Sequence, residues 1–265
     1  MVALQRTLGN RGMRRVLARD QGATKEAPAG KQSPAATQRF RLLIADEGKH
    51  GLSDSIVRDA LPIVQAELAR ITKDSPEDAV KAGFDVQYVK TAPERNDDFT
   101  RSLGRNTFLI FLTSGKDPKH AIESMRDYIP MDKEEQKLFE QKFKNSLRSE
   151  GGVDLGFEPN ARRRTSQSIG FVSTQVPLKE LEKSGAGPAS ASAVLADVIL
   201  HELGHAVGHN VSLASMDHDA TGIMTAQLVL GSSGAHQSQK FSTGSARIIR
   251  DRLEELAKKL APKRP

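Results

Sequence analysis

The sequence predicts an α+β fold, a mixed sheet packed on helices with one buried helix, behind a disordered N-terminal extension. Three observations carry this. Short apolar runs with strand character recur at 39–45, 106–114 and 168–174. Stretches at 53–73 and 246–260 keep a 3.6-residue apolar period instead. Residues 20–38, DQGATKEAPAGKQSPAATQ, are rich in Ala, Gly, Pro, Ser and Thr and read as a tether without a core of its own.

The chain has 265 residues, a hydrophobic share of 37% and no cysteine. That length suits one domain with appendages. The missing cysteines exclude disulfides, thiolate ligands and cysteine catalysis. Net charge is +6, gathered at Arg11, Arg14, Arg15 and Arg19, at Arg162–Arg164, and at Lys258, Lys259, Lys263 and Arg264. Basic runs suit an acidic partner, but without a nucleic-acid motif they read as solvated surface, and nucleic acid is not the expected partner. No apolar run reaches the twenty residues of a membrane span, and the start lacks the apolar core of a signal peptide. The expectation is a cytoplasmic protein in its producing cell.

Residues 1–38 are therefore expected to be a basic docking segment and flexible linker, with the folded domain at 39–265. RFRLLIA (39–45) reads as a strand with a buried centre. The helix over 53–73 places Ile56, Val57, Ala60, Leu61, Val64, Leu68 and Ile71 on one face; Pro62 either kinks it or marks its true start. Ser75-Pro76 signals a further short helix. DVQYVK (85–90) alternates as a strand with one wet face, and NTFLIFLTS (106–114) is apolar on both faces, as a central strand is. The charged stretch 117–148 reads as a helical insertion, followed by a short strand near 153–157 and a better one at SIGFVST, 168–174. A largely buried helix starts at Ser190 or Ser192 and is expected to stop at Gly208. The last helix, 246–260, presents Ile248, Ile249, Leu253, Leu256, Ala257 and Leu260.

The chemistry concentrates in HELGHAVGHNVSLASMDHDATGIMTA, 201–226. His201 and His205 are one turn apart and share a helix face, so two imidazoles can meet one ion. Glu202 sits one step round, placed to take a proton from water activated by zinc and hand it to a leaving nitrogen. A catalytic zinc needs a third protein donor, and the candidates are His209, His218, Asp217 and Asp219. Three histidines on consecutive turns of an unbroken helix span about 12 Å, too far for one ion, so His209 serves only if the chain turns sharply at Gly208. Asp197, four before His201, is a possible partner for an imidazole N–H, as Asp217 and Asp219 are for His218. His50, His120 and His236 read as solvated loop histidines.

HELGHAVG followed by GIMTA resembles the metzincin zinc metalloendopeptidases, whose pattern is HExxHxxGxxH with a methionine turn downstream. His201, Glu202, His205 and Gly208 fall on that pattern, and Met224 falls on the turn methionine. The resemblance implies a metzincin-like zincin fold, a twisted mixed sheet above a buried active-site helix. It also implies a Zn2+ cofactor, Glu202 as general base, Met224 as an apolar floor, and an extended protein or peptide substrate antiparallel to the edge strand, for which 168–174 is the candidate. The chain departs from the pattern at Val211, where a third histidine is expected. His218 is the preferred replacement, with His209 as the alternative. No tyrosine follows Met224 to steady an oxyanion; Tyr88 and Tyr128 are the chain's two.

The run LQRTLGNR, 4–11, resembles the N-terminal signature of proteins associated with bacterial extracellular contractile injection systems. That resemblance implies a payload or toxin-like effector docked to such a particle through residues 1–19 and delivered outside the cell or into a target cell. The other function considered is a non-catalytic, zinc-stabilised component of the particle.

Overall fold

The computed structural model describes residues 38–46, 51–73, 82–89, 106–113, 133, 137, 140–141, 152–154, 168–183, 185–211, 221–225 and 235–261. All of them fall within one compact unit, Ala35–Pro265. The expected docking segment and linker therefore lie outside the described residues except for Gln38, and so does the helix at Ser75-Pro76. Of the expected insertion at 117–148, residues 133, 137, 140 and 141 are described, and all four are helical.

The elements in chain order are β1 (Gln38–Asp46), α1 (Asp54–Lys73), β2 (Ala82–Val89), β3 (Thr107–Thr113), β4 (Gly152–Asp154), β5 (Ser168–Ser173), α2 (Gln175–Glu182), α3 (Pro188–Val211) and α4 (Thr243–Leu260). The sheet is mixed, in the order β2-β1-β3-β5-β4. Four strands run parallel, and the outer strand β4 is antiparallel to β5. β5 is thus paired on both sides, so the expectation that 168–174 forms the edge is corrected. The short β4 takes that place.

The register explains the core. Phe40 pairs with Phe84, and Leu42 with Phe108. The three phenylalanines stack as tilted pairs with centroids 5.7, 5.9 and 6.0 Å apart, within the range where aromatic pairs add to plain burial. Phe40, Leu42, Ile44, Ile110, Leu112 and Val172 share one cluster with the apolar faces of α1, α3 and α4. Leu43, Leu109 and Phe111 are buried on the opposite face. Burial on both faces is why 106–114 reads as a continuous apolar run.

The helices follow their stripes with informative exceptions. α1 is continuous through Pro62, and its buried face includes Glu67 where an apolar residue is expected. Arg70 meets Glu67 with two hydrogen bonds of 2.7 and 2.6 Å, and the Phe241 N–H donates to the same carboxylate at 2.8 Å. α4 starts at Thr243, because Ser242 caps it by accepting the Ser245 N–H at 3.1 Å. Ile248 turns outward at 38% exposed. The eight-residue α2 escapes sequence reading: it is short, and Pro177 and Glu180, rather than a run of aliphatics, are its buried residues.

α3 begins two residues before Ser190 and four before Ser192, the expected caps, with Pro188 in its first turn, where a missing N–H costs nothing. Ser190 and Ser192 are inside the helix and buried. Ser192 donates to the Ile56 carbonyl of α1 at 3.0 Å. Ser190 donates to Glu180 of α2 at 2.6 Å and accepts the His236 N–H at 2.6 Å. α3 also continues past Gly208 to Val211, so the glycine does not end it. Among the described residues no helix is long and apolar enough to cross a membrane.

The Ser190 hydroxyl holds Glu180 below the ordinary carboxylate range; burial opposes it, while Lys183 and the His236 N–H assist. A carboxyl whose folded pKa is depressed stabilises the fold above its unfolded pKa. That contribution is lost as pH falls through the lower folded value. Ser190→Ala should therefore cost about 1–3 kcal/mol at neutral pH, with the deficit shrinking as acid protonates Glu180. Urea unfolding of parent and variant at neutral and acidic pH measures this. A deficit that stays constant or grows in acid contradicts it.

Candidate metal centre

α3 is buried nearly all round. Leu195, Ile199 and Leu200 are fully enclosed, each contributing about 1.5–3 kcal/mol by leaving water. From Ser190 to Val207, His201 and His205 are the two residues that keep partial exposure. They lie one turn apart, so within this stretch the helix opens to solvent at a window lined by two imidazoles. Glu202 between them is 3% exposed.

The rings face each other edge to plane, with centroids 4.6 Å apart and planes at 80°. Their Nε2 atoms approach to 3.0 Å. His201 Nδ1 lies 2.8 Å from the Ile223 carbonyl oxygen. A carbonyl only accepts, so Nδ1 carries the hydrogen, and in the neutral ring Nε2 carries the lone pair. A carbonyl or carboxylate on the distal nitrogen is the usual way a ligating histidine is oriented. Two imidazole nitrogens bound to one tetrahedral ion at roughly 2.05 Å would be about 3.3 Å apart. The observed spacing is within a few tenths of an ångström of that, so the pair fits a divalent transition ion.

The turn beneath His201 is built from GIMT. The Thr225 N–H donates to the Gly222 carbonyl at 3.3 Å, leaving Ile223 and Met224 as the central residues. Both are buried, Met224 completely, and both belong to the main core cluster. Gly222 has φ +82°, and a Cβ there would stand 2.5 Å from the Lys240 carbonyl oxygen. A glycine is therefore required by conformation and by close approach together. The Ile223 N–H donates to that same Lys240 carbonyl at 3.2 Å.

The remaining expected site residues separate clearly. Asp197 is fully buried, but it does not meet the imidazole pair. His236 Nε2 lies 2.8 Å from its Oδ2, Ser238 donates to Oδ1 at 2.6 Å, and the Gln239 N–H reaches both oxygens at 3.0 and 3.1 Å. The expected contact of Asp197 with a ligating histidine is corrected: in a buried helix this carboxylate needs several donors, and residues 236–239 supply them. His236 is correspondingly buried, at 7% exposed, rather than solvated. Gly208 and His209 lie on the unbroken part of α3, which removes the sharp turn on which His209 depended as a third donor. His218, Asp217 and Asp219 lie outside the described residues, as do His50 and His120. Among the described residues no group of three or more His, Asp or Glu side chains is gathered for a metal.

Sequence reasoning missed Ile223, Ser238, Gln239 and Lys240. Three of the four act through backbone groups, which no residue type announces. The one available signal was Asp197 itself, a charge in the apolar run AVLADVIL that requires partners from elsewhere.

No protein-family model and no curated protein sequence matches the chain. Among solved structures the chain is similar to metalloproteinase-II from Bacteroides fragilis, at 12% sequence identity and a TM-score of 0.40. The match covers 88% of this chain and 56% of that one, so the chain spans little more than half of that protein's length.

Met224→Ala removes a fully buried side chain of the core cluster and should destabilise the fold by about 2–5 kcal/mol, read as a lower midpoint in denaturant. A midpoint within error of the parent would show that Met224 is not packed into the core.

Proposed function

We propose that the chain is a zinc-dependent endopeptidase acting on an extended polypeptide. The observation that carries this is the convergence of His201 and His205 Nε2 at the partly exposed positions of the otherwise buried stretch Ser190–Val207, with the His201 tautomer set by Ile223 and Glu202 between them. His201, His205 and a third donor, preferably His218, would hold the ion. When bound, zinc supplies acidity to water and positive charge where the carbonyl oxygen becomes negative.

The chain's own residues do the rest. The Glu202 carboxylate accepts a proton from the attacking water and returns it to the departing amide nitrogen, for which its place one residue along from His201 suits it. Met224 and Ile223 close the floor of the site with apolar surface. The outer position of β4 supports laying the substrate along Gly152–Asp154, since an edge strand presents unpaired backbone groups to an added extended chain. No tyrosine follows Met224, so the positive charge a bound ion would supply is the proposed stabiliser of the carbonyl oxygen.

The N-terminal run at 4–11 supports a payload role in a contractile injection particle, docked through residues 1–19. Val211, standing where a ligand is expected, favours a second reading: a zinc-stabilised component without hydrolysis.

Glu202→Gln should bind zinc as the parent does, while cleavage of an unfolded protein substrate falls by at least about 10²-fold. Cleavage at the parental rate would refute the mechanism, and zinc binding without cleavage by the parent itself would establish the second reading. His218→Ala should weaken zinc by at least tenfold, on the order of what the loss of even an outer partner costs. Parental affinity in that variant would assign the third donor elsewhere.

A further inference from the structure

The Met224 turn does not rest on its own hydrogen bonds. It is tied to the extended segment 235–242 that leads into α4, and that segment is fastened at nearly every residue. The His236 N–H is held by Ser190, its ring by Asp197, Ser238 by Asp197, and the Gln239 N–H by both Asp197 oxygens. The Phe241 N–H is held by Glu67, and its carbonyl accepts from Arg70 at 3.1 Å. Between these clamps lies Lys240, whose carbonyl takes the Ile223 N–H. The other side of the same residue, the Ile223 carbonyl, takes His201 Nδ1. A continuous line of hydrogen bonds and backbone links therefore leaves α3 at Asp197, passes through Gln239, Lys240 and Ile223, and re-enters α3 at His201, four residues further on.

We infer that Asp197 is a positioning residue for His201, acting through Gln239, Lys240 and Ile223 to fix the tautomer and orientation in which His201 offers Nε2 to a metal. This rests on reading His201 as a ligand. One property of the geometry supports it beyond simple anchoring. Gly222 allows the turn to approach Lys240 so closely that even one added carbon would collide with its carbonyl. The turn is thus seated directly on the clamped segment, and displacement of Lys240 is transmitted to the Ile223 carbonyl rather than absorbed by slack. Outer hydrogen-bond partners of this kind commonly change metal affinity about 10–100-fold. Asp197 acts through three intermediary residues, so its effect belongs at the lower end.

The test compares the full chain with Asp197→Asn, with Gly222→Ala, which pushes the turn off Lys240 while leaving Asp197 in place, and with the milder Ser238→Ala. Phe84→Leu, at the far edge of the sheet from α3, is the control for lost stability alone. Two quantities are read: the 15N shifts of the His201 ring in metal-free protein, which report its tautomer, and the zinc dissociation constant by chelator competition. Asp197→Asn and Gly222→Ala should each give a mixed tautomer and about tenfold weaker zinc. Ser238→Ala should give a smaller change in the same direction, and Phe84→Leu should leave both readings at the parental values. A parental tautomer and parental affinity in folded Asp197→Asn overturn the inference. Should that variant not fold, the same outcome in Gly222→Ala and Ser238→Ala does so. Equal weakening by Phe84→Leu also overturns it, because stability alone would then explain the effect. A parent that binds no zinc defeats the metal reading instead, and the metal-free tautomer still decides whether Asp197 sets it.

Discussion

The structure depends on α3 being buried almost all round. A helix in that position cannot leave polar groups to water, so each polar residue along it must be met by something from another part of the chain. Ser190 is met by α2 and by the His236 N–H, Ser192 by the end of an α1 carbonyl, Asp197 by residues 236–239, and His201 by the methionine turn. These obligations fix how α1, α2, the turn and the approach to α4 sit around one rod. Between Ser190 and Val207 the two residues not fully covered are His201 and His205, and the proposed metal site is placed at that opening.

This arrangement links stability to function. The hydrogen bonds that satisfy Asp197 fasten His236, Ser238 and Gln239 beside Lys240, and the Lys240 carbonyl accepts from the turn whose Ile223 carbonyl meets His201. Glu67 and Arg70 clamp the same segment from α1. Polar networks of this kind are costly when incomplete and rigid when complete. A rigid support suits a metal site, whose donors must be held in place before the ion arrives.

Much of the frame is legible in the sequence. The strands at 39–45, 106–114 and 168–174, the helices at 53–73 and 246–260, and the buried helix around His201 all appear within a few residues of where periodicity puts them. The apolar pattern dictates these elements, and the pattern is local. The failures have a common cause in longer-range contacts. Gly208 does not stop α3, although glycine alone weighs toward an end. Ser190 and Ser192 resemble caps but pair with α2 and α1. Segment 168–174 has the look of any strand, and its place inside the sheet is decided by β4, three residues long. His236 reads as a wet loop residue because its partner, Asp197, is 39 positions away. Within the site, the pairing of His201 with His205 follows from spacing, whereas the support of His201 by a backbone carbonyl leaves no trace in residue types.

The most direct measurement of the central claim, one divalent ion gripped by α3 through His201 and His205, is zinc-edge X-ray absorption on the purified full chain, together with metal content. The expected result is one zinc per chain in a site with imidazole nitrogens at about 2.0–2.1 Å, lost when His201 and His205 are both replaced by alanine. A chain that holds no zinc, or one whose zinc and imidazole scattering survive that double replacement, would contradict it.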